Sequence, residues 1–151
     1  MLVEIRPASV KELVSNPSLV ALLSRYATES AIAGLPAPKA DLALYARLEA
    51  LGSFKIVAAF SGDIVVGLIC VLVSPLPHYS ENVATIESFF VLGEYRKGGV
   101  GTKLLAKAKQ LAKVCGAVGL LISAPVNSRL AYILENSGSC VETNRVFFTK
   151  L

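Results

Sequence analysis

A chain of 151 residues, 54% apolar and only 17% charged, excludes a disordered or solvating segment and suits one domain over residues 1–151 that buries about two-thirds of its unfolded surface. Three cysteines and a single histidine exclude a disulfide framework and form no closely spaced ligand pair, so no metal is expected, and each cysteine, set in an apolar run, reads as a reduced buried thiol. The net charge of +4 is uneven, with six basic and no acidic side chains between residues 95 and 113 against six basic and nine acidic before them.

The opening Met-Leu-Val-Glu-Ile-Arg-Pro lacks a basic region followed by an apolar core, so it does not read as a secretory signal, and Leu2 to Arg6 reads as a first strand. Helical periodicity runs from about Val10 to Ser30, interrupted at Asn16-Pro17, where proline can open a new helix. Gly34-Leu-Pro-Ala-Pro is a loop, and a helix from about Ala40 to Leu51 stops at Gly52. Strands from Phe54 to Phe60 and Ile64 to Val73 flank the hairpin signal Ser61-Gly62-Asp63. The apolar run Ile64 to Leu76, broken by Gly67 and Ser74, is too short to span a bilayer, so no membrane partner and a cytoplasmic location are expected.

A proline-containing loop, Pro75 to Asn82, leads into the strand-like run Ile86 to Leu92, which holds Glu87. A helix follows from Val100 to Cys115, with apolar residues at 100, 104, 105, 108, 111, 112 and 115 in one stripe. Val118 to Ser123 reads as a buried parallel strand and Asn127 to Ser137 as a helix. Ser139 to Val141 and Arg145 to Leu151 read as a final hairpin turning at Glu142.

Between strand and helix stands Arg96-Lys97-Gly98-Gly99-Val100-Gly101. Glycines there let the backbone approach a ligand closely, the helix start offers free N–H groups, and two cations add full charge, which together suit a phosphate group. A dinucleotide fingerprint fails because Leu104 stands where its third glycine belongs. A nucleoside-triphosphate P-loop fails because the order is Gly101, Thr102, Lys103. Lys97 and Lys103 are expected at ligand phosphate, whereas Lys107, Lys109 and Lys113 read as a solvated face. Nucleic acid is not expected as a partner, since only Tyr95 is aromatic in this basic block.

Arg96, Gly99 and Gly101 fill the defined places of Arg/Gln-x-x-Gly-x-Gly/Ala, and the segment resembles the acyl-CoA pyrophosphate loop of the GNAT superfamily of N-acetyltransferases. Glu87 and Val91 match an acidic residue four places before a valine in that family's preceding strand, and Asn127 resembles its Asn-led helix. The resemblance implies an α/β GNAT fold: a mixed central sheet of about six to seven strands, flanked by about four helices, in the order β-α-α-β-β-β-α-β-α-β-β. The strands carrying Val91 and Leu120 would part and leave backbone groups for a pantetheine arm.

It also implies an acetyl-CoA-dependent N-acetyltransferase, with acetyl-CoA as cosubstrate, no metal, a primary amine of a small molecule or protein as acceptor, and a monomer or homodimer. Arg96, Lys97, Gly98, Gly99, Val100, Gly101 and Thr102 would then bind the pyrophosphate. Backbone N–H near Phe90 or Val91 would polarise the thioester oxygen. Asn127 would hold pantetheine amides or serve as a plain N-cap.

Glu87, in an otherwise apolar strand, is the general base or a structural partner for an arginine or helix end. His78 is the other base to weigh, against an exposed loop position. Many family members carry an acidic tyrosine where this chain has Leu134. Tyr132 lies about 200° around the helix from that place and would face the other way; where another tyrosine serves instead, Tyr79 and Tyr132 are the phenols to test, with buried packing the other role for Tyr132. Without such an acid, the CoA thiolate leaves unaided or through water. The alternative to an enzyme is a catalytically weak acyl-CoA-binding sensor or regulator.

Overall fold

The computed structural model describes residues 2–151. Five strands, β1 (Glu4–Ala8), β2 (Phe54–Ser61), β3 (Ile64–Leu76), β4 (Glu81–Val91) and β5 (Leu120–Leu121), form one sheet in chain order. The first four pair antiparallel and β5 joins β4 in parallel, so the sheet is mixed. The helices are α1 (Val10–Val14), α2 (Ser18–Ser30), α3 (Leu42–Ala50), α4 (Val100–Val114) and α5 (Arg129–Glu135).

Both faces of the sheet are covered, which is why β2 and β3 read as near-continuous apolar runs rather than alternating ones. Phe54, Ile56 to Phe60 and Val65 to Val71 are buried. α4 packs on β2 and β3 through Val100, Leu104, Leu105, Ala108 and Ala112, all buried. α2 and α3 lie against the same two strands from the other side. Gly67 leaves little room for a side chain on this face: a Cβ there would stand 3.0 Å from the Phe90 carbonyl and 3.1 Å from Val91 Cγ2 of β4, and 3.4 Å from Leu104 Cδ1 of α4. Its neighbours Leu68 and Cys70 line the space under α2 and α3, as the alternation of a strand requires.

Short-range polar contacts set the helix boundaries. Ser9 caps α1 by accepting from the Glu12 N–H at 3.1 Å, and Asp41 caps α3 by accepting from the Leu44 N–H at 2.9 Å. Pro17 separates α1 from α2, and the Asn16 carboxamide oxygen accepts from the Ser18 N–H at 3.0 Å. That break makes five α-helices among the described residues where about four were expected.

The expectation of six to seven strands is corrected to five among the described residues. Residues 139–151 form no strand, and β5 contracts from Val118–Ser123 to Leu120–Leu121. A two-stranded hairpin is marginal unless it adds to a sheet or buries a face, and β5 offers only two paired residues as a foundation. Cys140 falls in this segment and is exposed, and Cys115 is half-buried, so only Cys70 is the buried thiol expected at all three.

Candidate active site

The β3–β4 ladder contains one irregularity that matters for chemistry. Cys70 faces Ser88 and Val71 faces Ile86, so Glu87 is the extra residue of a β-bulge in β4. A bulge bends its strand and re-aims side chains. Here Glu87 and its neighbour Ser88, which a regular strand would send to opposite faces, line one cavity of about 560 Å³ between the sheet and α1 to α3. Glu87 is therefore exposed to that cavity rather than buried in an apolar strand.

Two hydroxyls hold the carboxylate. The Tyr45 hydroxyl of α3 donates to Oε1 at 2.8 Å, and the Ser88 hydroxyl donates to Oε2. Tyr45 is itself fixed by stacking on Phe54, ring centroids 4.8 Å apart and planes 9° from parallel. Burial, then the hydrogen bond and charge of Glu87, push its phenol above the ordinary tyrosine range. Cys70, on the same wall, is pushed up by burial first and Glu87 second, so its thiol stays protonated.

Beyond the bulge, β4 loses its partner on one edge. Its ladder to β5 holds only Ala84 with Leu120 and Thr85 with Leu121, so Ile86 to Val91 run on unpaired on that side. The Leu92 N–H donates to Val66 of β3 at 2.9 Å. Strand amides alternate in direction, so the Val91 N–H faces the open edge. Phe90 instead turns its carbonyl toward β3 and stacks its ring on Tyr26 at 5.0 Å.

The glycine loop closes this end. Gly98 (φ +94°) and Gly99 (φ +78°) occupy the left-handed region, and Gly99 is the N-cap of α4. The first intrahelical bond runs from the Lys103 N–H to the Gly99 carbonyl at 2.9 Å. The N–H groups of Val100, Gly101 and Thr102 precede it, and Gly99 has no side chain to cap them, so they form a donor set suited to an anion. This donor set and the free strand edge fit a pyrophosphate followed by an amide-bearing arm.

The scan against family models matches residues 19–131 to the acetyltransferase (GNAT) family. The chain belongs to the GNAT acetyltransferase family. Among individual relatives, aminoglycoside N(6')-acetyltransferase type 1 of Acinetobacter genomosp. 13 is 29% identical over 68 residues, 45% of this chain and 47% of its own length. The alignment thus spans about half the length of that curated relative. An aminoglycoside acetyltransferase from an uncultured soil metagenomic sample, solved in complex with sisomicin, superposes with a TM-score of 0.74 over 99% of this chain and 96% of its own, at 18% identity. Ribosomal-protein-alanine N-acetyltransferase from Brucella melitensis biovar Abortus 2308 gives 0.72 over 99% of each chain at 16% identity. At such identities the likeness concerns the fold.

Within this GNAT domain the expected site residues fall into separate groups. Phe90, Val91 and the loop from Arg96 to Thr102 meet at the end of β4 and the start of α4. The Arg96 side chain is engaged locally: Nε donates to the Val91 carbonyl at 2.8 Å, and the guanidinium meets Glu29 of α2 at 2.6 Å. It ties the loop to β4 and α2, while Lys97 and Lys103 line a second hollow of about 310 Å³ beside β1.

Asn127 is not the N-cap of α5. Ser128 is, accepting from the Ala131 N–H at 3.1 Å, and Asn127 stands before it in the left-handed region at φ +59°. Tyr132 is 68% exposed, which overturns the buried packing role, and does not line the cavity with Glu87. Leu134 packs against the core instead. His78 and Tyr79 sit together, exposed, on a short 3-10 turn at Pro77–Tyr79. Among the described residues no cluster suited to a metal ion occurs, and no helix is long and apolar enough to cross a membrane.

Sequence reading alone misses Tyr45, Ser88 and Tyr26. Tyr45 is separated from Glu87 by 42 residues, and nothing in the α3 pattern marks its hydroxyl. Ser88 was recoverable in part, because a second polar residue beside Glu87 interrupts an apolar strand.

Proposed function

We propose that the chain is an acetyl-CoA-dependent N-acetyltransferase acting on a primary amine of a small molecule or protein. The observation that carries this reading is Glu87: a bulged carboxylate held by Tyr45 and Ser88, beside a roomy cavity, where β4 loses its partner.

Acetyl-CoA, when bound, supplies the acetyl group as a thioester. Residues Lys97 to Thr102 hold its pyrophosphate with the N–H groups at the α4 start, and Arg96 positions that loop through Val91 and Glu29. The open edge of β4 and Asn127 engage its amides, and the Val91 N–H polarises the carbonyl oxygen. Glu87 removes a proton from the acceptor ammonium, directly or through one water, a role worth roughly 10²–10⁴ in rate. Tyr45 and Ser88 keep that carboxylate aimed at the cavity.

A second reading, an acyl-CoA-binding sensor, is favoured by one observation. Leu134 packs against the core and Tyr132 does not line the cavity, so α5 provides no phenol there for the leaving thiolate.

Calorimetric titration of acetyl-CoA, followed by release of CoA thiol across an amine panel, tests both. Binding with turnover is expected. Binding without turnover on any amine favours the sensor, and absence of binding overturns both. Glu87→Gln should lower kcat/KM about a hundredfold or more while acetyl-CoA affinity holds. Its residual rate should climb with pH in step with the neutral amine in solution.

A further inference from the structure

The cavity beside Glu87 carries few charges, and relatives of the chain include aminoglycoside acetyltransferases. Its wall carries two formally charged side chains, Glu87 and Lys39. Most of the remainder is apolar, including Leu23, Leu42, Phe54, Ile56 and Leu68, with the ring of Tyr26 among them.

The other carboxylates of the surrounding helices are already engaged. Glu29 pairs with Arg96 at 2.6 Å, and Glu12 meets Arg6. Glu49 accepts from the Val10 N–H at 3.1 Å through both oxygens, and Asp41 is committed to the α3 cap at 2.9 Å. Glu94, at the loop, pairs with Arg25 at 2.9 Å. A polycation entering this cavity finds one carboxylate, and its further charges meet hydrocarbon and a lysine. Stripping water from an unpaired ammonium against such a wall is costly.

We propose that the acceptor is a monoamine carried on an apolar body, an arylalkylamine or alkylamine, and not a polycation. The amino group meets Glu87, and the hydrocarbon lies against the half-buried Leu23 and Tyr26 of α2 and Leu42 of α3. A volume of about 560 Å³ falls in the range of small-ligand sites, which are mostly apolar with a few placed polar groups. This assignment rests on the acetyltransferase reading for its chemistry. The ammonium gives one proton to Glu87, and its nitrogen forms a bond to the acetyl carbon as the carbon–sulfur bond breaks. The sulfur leaves with the electron pair and takes up the second nitrogen proton as CoA thiol.

Two measurements on the full chain separate this inference from the catalytic one. Calorimetry with CoA-loaded protein compares 2-phenylethylamine, spermidine, sisomicin and a peptide with an N-terminal alanine, and thiol release with acetyl-CoA compares their kcat/KM. The expected result is at least tenfold tighter binding of 2-phenylethylamine than of any other probe, with kcat/KM in the same order. Tighter binding of spermidine, sisomicin or the peptide, or binding of none, overturns the monoamine assignment. Selective binding of 2-phenylethylamine without thiol release upholds the assignment and overturns catalysis alone. Lys39→Glu, at an exposed position, should raise the affinity for spermidine relative to 2-phenylethylamine about tenfold; an unchanged ratio counts against the charge argument.

Discussion

Glu87 depends on two hydroxyls, and they differ in what removing them tests. Tyr45→Phe keeps the ring that stacks on Phe54 at 4.8 Å and deletes only the donor to Glu87. A hydrogen bond to a charged group is worth about 1.5–3 kcal/mol, so kcat/KM should fall about tenfold or more. If it does not, Tyr45 is no positioning residue. The same hydroxyl has a signature in stability. Its folded pKa is raised above the ordinary 10.0, chiefly by burial, so above pH 10.0 the unfolded chain releases a proton that the folded chain keeps. The stabilisation is complete below pH 10.0 and declines as pH rises. Alkaline denaturation of Tyr45→Phe should therefore be less steep above pH 10 than that of the parent chain. Cys70 gives a further check: protonated and buried, it should react with a thiol reagent only on unfolding, after exposed Cys140 and half-buried Cys115. Glu87 was legible in sequence because a carboxylate interrupts an apolar run. Its register was not, since a bulge is a relation between two strands.

The glycine loop was the most legible element, because its chemistry lies within six consecutive residues. Its glycines nevertheless do different work. Gly98 and Gly99 have positive φ, whereas Gly101 is inside α4 and a Cβ there would lie 3.6 Å from the Phe89 ring, an ordinary contact. Placing alanine in the left-handed region costs roughly 1–2 kcal/mol, and alanine in place of a helical glycine gains up to about 1 kcal/mol. Denaturant titration should accordingly show Gly99→Ala destabilised and Gly101→Ala at least as stable as the parent. Equal losses at both positions would mean that the loop conformation differs from the one described. Gly99→Glu adds bulk and negative charge where the α4 donors converge, so acetyl-CoA affinity should drop sharply there. The phenol of α5 stays out of the cavity for a helical reason: residues 132 and 134 face different sides, and Leu134 takes the inward one.

Across the full chain, the clearest failure of local pattern falls at residues 139–151, where burial does not reinforce it. Strands β1 to β4 and helix α4 share a contiguous core, and their apolar residues have faces to cover. Residues 145–151 have strand-like composition, yet Val146 is 83% and Phe147 87% exposed. What holds residues 136–151 is mainly side-chain contact, such as Arg145 with Glu142 at 3.2 Å and the Phe148 ring leaning toward Gly34. Amide protection follows backbone bonding and the free energy needed to open it. Hydrogen exchange should therefore divide the chain, with β2, β3 and β4 slowest, α4 close behind, and residues 139–151 near unprotected rates. Slow exchange confined to residues 145–151 would show that this segment pairs as a strand in solution, either back on its own sheet or with a second copy. Repeating the measurement at tenfold dilution distinguishes those cases, because pairing between copies weakens on dilution and pairing within one chain does not.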